Sequence, residues 1–203
     1  FTSNIDRTYK ICDILKSHSL TWSCSTRVER VKPELLQYMR RSGCREIWYG
    51  VESLEQDVLN LANKMTKVEE IEHAVRETEK AGIQVMANLM VGLPGESEES
   101  LRKMMDFCRR TDVIPSSIKY LAPFPGTKIY DMAVERGFIR DPLVYLEDLA
   151  QRKVRARPVE VDYYTQTSGE KETEILGWLS LEEAHKIILE SAGRHQDSLS
   201  YQH

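Results

Sequence analysis

An α/β fold on a parallel sheet is the class this sequence predicts, and three observations predict it. Stretches of strand character alternate with helical patterns four times between Leu20 and Gly137. Two of those stretches close in glycine-bearing motifs that offer a carboxylate just before a helical pattern, Trp48-Tyr49-Gly50-Val51-Glu52-Ser53 and Val91-Gly92-Leu93-Pro94-Gly95-Glu96. Ile83 to Val91 is the most apolar run in the chain, as expected of a strand covered on both faces. Strand-helix units in succession require parallel pairing with right-handed crossovers. Ligands in such folds bind where strands end and helices begin, because backbone amides and helix dipoles converge there.

Each element has its own signal. Ile5, Tyr9, Cys12 and Leu15 recur at helical spacing behind Asn4, a good N-cap, and define a first helix from Asn4 to His18. Leu20 to Ser25 alternates large apolar or cysteine residues with hydroxyl residues and reads as a strand ending at Thr26-Arg27. Pro33 suits a helical first turn, and Leu35, Leu36, Tyr38 and Met39 give that helix a core face up to Gly43. A strand over Arg45 to Tyr49 leads into the first motif, and Val58, Leu59 and Ala62 mark a short helix over Gln56 to Asn63. Thr66 and Glu69 have capping-box spacing ahead of a long amphipathic helix on Val68, Ile71, Val75 and Thr78, closed by Gly82. After the Ile83 to Val91 strand, Leu101, Met104, Met105 and Cys108 mark a helix and Ile118 to Leu121 a strand. Ile129, Met132 and Ala133 then mark a helix that stops at Gly137. The alternation ceases near Asp141, so residues 1–140 form one unit and 141–203 an accessory extension. In that extension Tyr163 to Glu174 reads as a loop, 181–192 as a helix behind Ser180, and the last residues as a frayed end.

Composition is that of an ordinary globular protein: 203 residues, 41% hydrophobic, 28 basic against 32 acidic side chains and a net charge of -4. Neither sign is gathered into a block, so no nucleic-acid partner is indicated. No apolar run approaches a membrane span and no basic-then-apolar leader opens the chain, which leads to a cytoplasmic expectation and no membrane partner. The opening phenylalanine suggests a piece of a longer polypeptide. The cysteines Cys12, Cys24, Cys44 and Cys108 match no metal or redox spacing and read as reduced thiols. The five histidines form no paired ligand spacing.

The candidate site residues stand at strand ends. Glu52 is placed to meet a ligand hydroxyl or amine, or alternatively to favour a helix N-terminus as an acid. Gly92 to Glu96 either lets a ligand's flat face approach the main chain or forms a tight type II turn. It lacks both a phosphate-loop ending and a dinucleotide fingerprint. Ala122-Pro123-Phe124-Pro125-Gly126-Thr127 joins another strand rigidly to a helix, and Arg27 and Lys64 are cations near the same face, or solvated surface charges. Glu52 and Glu96 could also serve as an acid/base pair.

Taken in order, Trp22-Ser-Cys-Ser-Thr-Arg27-Val28, Pro33-Glu-Leu-Leu36, Met39 to Cys44, Gly50-Val-Glu-Ser53, Lys64, Gly92-Leu-Pro-Gly-Glu96 and Pro123-Phe-Pro-Gly-Thr127 resemble the radical S-adenosylmethionine superfamily. The likeness is to the branch that often carries a cobalamin-binding domain, and covers roughly Phe1 to Gly137. It implies a partial parallel (β/α) barrel of which this chain holds the last four strand-helix units. It also implies that Glu52 and Ser53 contact the ribose or methionine part of S-adenosylmethionine, that Lys64 meets its carboxylate, and that the backbone around Gly92, Gly95 and Glu96, with Ala122 and Pro123, holds the adenine. Arg27 is assigned to the cofactor or the substrate.

The family's CxxxCxxC motif, which holds a 4Fe-4S cluster, is absent, and the four cysteines stand on separate elements from which thiolates would have to converge. The resemblance therefore implies a fragment of a longer radical enzyme, with cluster ligands upstream, an electron donor for the cluster, a small-molecule or unknown substrate, and cobalamin as a further cofactor of the full-length protein. That enzyme would generate a 5'-deoxyadenosyl radical for radical-based modification or methyl transfer. The isolated chain is expected to be inactive. The alternative is a non-catalytic S-adenosylmethionine-binding or scaffold protein without the cluster.

Overall fold

A computed structural model describes residues 1–150. Helix α1 (Ile5–Ser17) starts at Asn4, whose Oδ1 accepts from the Arg7 amide at 2.9 Å. Then follow β1 (Trp22–Thr26), a 3-10 turn (Val28–Arg30), α2 (Pro33–Arg41), β2 (Cys44–Glu52), α3 (Gln56–Leu61), α4 (Val68–Lys80) and β3 (Gln84–Val91). The order continues with α5 (Glu98–Arg110), β4 (Ile114–Tyr120), α6 (Lys128–Glu135) and α7 (Pro142–Ala150). The strands lie in the order β1-β2-β3-β4 and every neighbouring pair is parallel. The four expected strand-helix units are all present. Among the described residues no helix is long and apolar enough to cross a membrane.

The core lies between one face of the sheet and its helices. Leu35, Leu36 and Met39 of α2, Ile71 and Val75 of α4, and Leu101 and Met104 of α5 are buried with Ile47, Tyr49, Val85, Ala87 and Leu89 of the strands. Burying a side chain of this size is worth about 1.5–3 kcal/mol, so this layer holds the sheet in place. The other face differs from the expectation for β3. Gln84, Met86, Asn88 and Met90 remain half-exposed and alternate with buried neighbours, because the helices among the described residues cover the sheet from one side.

Four boundaries depart from the sequence reading. Strand β2 runs three residues further and takes Gly50, Val51 and Glu52 into the sheet, with a register irregularity between Gly50 and Glu52. The cap of α4 falls at Lys67, whose amide donates to Glu70 Oε2 at 2.8 Å; the expected Thr66-Glu69 box is not formed. Gln56 explains the shift, since its Oε1 accepts from the Val68 amide at 3.1 Å, one of the amides a Thr66 cap would have used. Strand β4 starts four residues early, at Ile114, and tolerates Pro115 because only β3 pairs with it among the described residues. Helix α7 occupies the first residues of the proposed extension, where no regular element was expected, and buried Tyr145 anchors it by donating to the Pro123 carbonyl at 2.7 Å. The loop over 163–174, the helix over 181–192 and the frayed end lie outside the described residues.

Candidate functional site

The mouth of the site is built at the carboxyl ends of β1 and β2. The irregularity in β2 leaves Glu52 with a positive φ of 63°, a conformation that costs a non-glycine residue about 1 kcal/mol or more and clusters at functional sites. The Ser53 amide turns back to the Val51 carbonyl at 2.8 Å, and the Ser53 hydroxyl accepts from the Glu55 amide at 3.2 Å. Between α3 and α4, Asn63 is also left-handed, with φ 55°, and the chain there delivers Lys64 across to β2. Its ammonium donates to the Gly50 carbonyl and lies 3.1 Å from Glu52 Oε1. Burial pulls the Lys64 ammonium below its ordinary range while Glu52 pushes it back up.

Gly50 leaves room for this pairing. A Cβ there would stand 2.8 Å from Glu52 Oε1 and 3.3 Å from Lys64 Nζ. Arg27 enters from the end of β1, 62% exposed and paired with Glu29. Arg27, Glu52 and Lys64 line one cavity of about 340 Å³, together with Val28, Glu29, Gly50, Asn63, Met65 and Thr66. Three of the expected site residues therefore converge. The flanking Asn63, Met65 and Thr66 carry no motif of their own; the left-handed turn at Asn63 brings them in. The same turn borders a second cavity, of about 680 Å³, against α3 and α4.

The second motif is folded on itself. Gly92 and Gly95 adopt φ of 88° and 81°, values that favour glycine, and a Cβ on Gly95 would meet Leu61 Cδ1 at 2.7 Å. Glu96 is buried, 3% exposed, and its Oε2 accepts from the Gly92 amide at 2.5 Å. Burial pushes its carboxyl up to about 8, against the lowering effect of the Gly92 and Leu93 amides. The Leu121 amide donates to the Val91 carbonyl at 2.8 Å, which keeps the ends of β3 and β4 together; half-buried Ala122 and buried Pro123 follow directly. An acid/base partnership with Glu52 finds no support here. Glu52 faces the cavity in a pair with Lys64, and Glu96 is turned into the protein.

The donor set fits S-adenosylmethionine. Glu52 suits an ammonium or ribose hydroxyls, while Arg27 and Lys64 suit a carboxylate. Lys64 spends one proton on Gly50 and one on Glu52, which leaves a third to donate. An iron-sulfur cluster does not fit the described residues. Cys12, Cys44 and Cys108 are buried in the core, Cys24 sits in β1 beside Cys44, and no group of three potential ligands converges.

Comparison with known proteins identifies the family and the fold. An uncharacterized methyltransferase of Pyrococcus horikoshii is 24% identical over 141 residues, which cover 68% of this chain and 31% of the relative. A bacteriochlorophyllide d C-8(2)-methyltransferase of Chlorobaculum tepidum is 22% identical over 139 residues, 67% of this chain and 31% of the relative. The chain thus spans about a third of the length of these curated relatives. The fold is similar to that of the radical S-adenosylmethionine methyltransferase TsrM from Kitasatospora setae, solved with cobalamin and a 4Fe-4S cluster bound. The TM-score is 0.54 at 19% identity, covering 66% of this chain and 28% of that one. The four parallel units are therefore a partial (β/α) barrel. The profile of the radical SAM superfamily matches residues 1–108, more than half of the sequence and the part that builds the Arg27, Glu52 and Lys64 cavity, and the chain belongs to that superfamily.

Proposed function

We propose that this chain is the S-adenosylmethionine-holding part of the catalytic barrel of a longer radical enzyme. The observation that carries the reading is one cavity at parallel strand ends where Glu52 and Lys64 are held as a pair with Arg27 beside them, in a chain of this superfamily. Glu52 and Ser53 would hold the ribose or the ammonium of the methionine tail, and Lys64 its carboxylate. The Gly92, Gly95 and Glu96 backbone, with Ala122 and Pro123, would border the adenine. Arg27 reaches the cavity from β1 and has freedom to serve the cofactor's carboxylate or an anionic substrate.

A 4Fe-4S cluster, when bound in such enzymes, supplies the electron that cleaves S-adenosylmethionine. We assign its ligands to protein outside this chain, together with an electron donor. The named relatives include methyltransferases, and TsrM binds cobalamin, which supports methyl transfer or another radical modification of a small molecule by the whole enzyme, with cobalamin as its further cofactor.

Equilibrium dialysis of the 203-residue chain against S-adenosylmethionine tests the binding half. Saturable one-to-one binding is expected, weakened at least tenfold by Glu52→Gln or Lys64→Met. Absence of binding in a chain with a native circular dichroism spectrum would defeat the reading. Anaerobic reconstitution tests the other half: a stoichiometric cluster on these residues alone would refute the assignment of its ligands elsewhere.

A further inference from the structure

Glu96 belongs to the motif but does not point into the cavity. It is 3% exposed, and around it the Gly92–Glu96 turn packs through Leu93 with Val58 of α3 and Leu121 after β4. The Gly92 amide donates to Oε2 at 2.5 Å, and the Glu96 amide returns to the Leu93 carbonyl at 3.1 Å. Among the described residues its Oε1 is buried with no hydrogen-bond partner. A carboxylate anion in that position would leave a charged oxygen unsolvated, at a cost of several kcal/mol. A neutral acid lowers that cost by removing the charge: the oxygen facing the amide serves as acceptor and Oε1 carries the proton, so only an uncharged O–H is buried there.

We propose that Glu96 is a positioning residue, a neutral carboxylic-acid latch that closes the Gly92–Glu96 turn and so shapes the ligand-binding mouth without touching the ligand. The proposal rests on the S-adenosylmethionine reading above. Ionisation opens the latch, since the anion must leave its apolar surroundings to be solvated, and the Gly92 amide then loses its partner.

No charged side chain acts on the carboxyl among the described residues. On the neighbouring elements, Lys103 of α5 pairs with Glu55 before α3 and with Glu99, and Arg102 pairs with Glu98. Asp57 at the start of α3 and Lys128 at the start of α6 are exposed. What holds Glu96 neutral is burial, opposed only by the amides of Gly92 and Leu93, with its carboxyl raised to about 8. The latch is therefore closed at neutral pH and open above pH 9.

The test combines two readouts over pH 6 to 9.5, using the full 203-residue chain and its Glu96→Gln and Glu96→Ala variants. The first is the Gly92 amide chemical shift. It is expected to titrate with a midpoint near 8 in the wild type and to stay flat in Glu96→Gln, whose side-chain carbonyl still accepts. The second is affinity for S-adenosylmethionine: from pH 6.5 to 9.5 the wild type should lose at least tenfold more than Glu96→Gln, in which only the ligand's own ammonium titrates, and Glu96→Ala should bind weakly at every pH. A Gly92 shift that does not titrate, or that titrates equally in Glu96→Gln, overturns the latch. A titrating shift with the same pH dependence of affinity in the wild type and in Glu96→Gln overturns its role in ligand binding. A wild type that binds no S-adenosylmethionine at any pH defeats the cofactor reading instead, and the Gly92 shift still decides the latch.

Discussion

Gly50→Ala isolates the contact on which the mouth depends. The backbone supplies no objection, because Gly50 is not among the residues with positive φ. The obstacle is the new methyl, whose carbon would stand 2.8 Å from Glu52 Oε1 and 3.3 Å from Lys64 Nζ. To admit it, Lys64 must release the Gly50 carbonyl or the Glu52 carboxylate must turn away from Lys64, and a hydrogen bond to a charged group is worth about 1.5–3 kcal/mol. The side chains of Lys64 and Glu52 are 20% and 26% exposed, so solvent reduces this to about 1–2 kcal/mol. Loss of glycine's freedom in the unfolded chain returns about 0.4–1 kcal/mol. The expected net cost is about 1 kcal/mol in urea denaturation. In a Lys64→Met background the ammonium no longer holds the Glu52 carboxylate against position 50, so Glu52 can turn aside and the cost should vanish, giving a coupling of about 1 kcal/mol or more in the double-mutant cycle. Equal costs in the two backgrounds, within about 0.5 kcal/mol, would show that Gly50 is not there to accommodate Lys64.

Gly95→Ala and Gly126→Ala form a matched pair, with φ of 81° and 83° but a Leu61 methyl 2.7 Å from the first new Cβ and nothing within 4 Å of the second. Thermal melts should place Gly126→Ala at the cost of the backbone alone, about 1 kcal/mol, and Gly95→Ala somewhat beyond it, by less than the roughly 1–3 kcal/mol of an overpacked core because Leu61 is exposed and can turn aside. Tyr49→Phe removes the buried bond between the Tyr49 hydroxyl and Thr78 Oγ1 at 2.8 Å; Thr78 keeps its bond to the Ala74 carbonyl, so urea denaturation should read a loss of only about 1 kcal/mol. Glu96→Gln should change how stability depends on pH. With the carboxyl raised from 4.5 to about 8, the folded chain holds a proton that the unfolded chain releases. Its contribution is full below pH 4.5, declines as pH rises to 8 and is lost above, by a few kcal/mol on the order-of-magnitude scale of such shifts. Denaturation midpoints of wild type and variant across pH 5 to 9 should differ in slope in that direction; parallel curves would exclude a buried neutral Glu96.

The order of elements was legible because each carries a local signal strong enough to survive packing: the Asn4 cap, Pro33 in its first turn, and the apolar stripes of α2, α4 and α5. Boundaries set by partners distant in sequence were not. Nothing near Thr66 announces that Gln56, ten residues earlier, takes the Val68 amide, and nothing near Pro115 announces how few strands pair with β4. The convergence of Arg27, Glu52 and Lys64 followed from strand ends facing one mouth. The bulge that turns Glu52, and the burial of Glu96, depend on the three-dimensional crowding of Gly50 and Leu93 and left no trace in spacing.

The two motifs use the same means to opposite ends. In each, a glycine lets the chain approach its own acidic residue, and a backbone group of that glycine is then held: the Gly50 carbonyl by Lys64, which also holds Glu52, and the Gly92 amide by Glu96. Glu52 remains at the cavity wall with a cation beside it, able to exchange that partner for a ligand's ammonium at modest cost, because both groups stay partly solvated. Among the described residues no cation stands beside Glu96, and it is only 3% exposed, so it serves as part of the frame. Both anchors are supplied by this chain's own residues. The mouth is therefore preorganised before any ligand arrives, the condition under which binding energy is not consumed in ordering the site. The consequence is that affinity for S-adenosylmethionine should reside in these strand ends themselves, while the electron needed to cleave it must come from a group these residues do not hold.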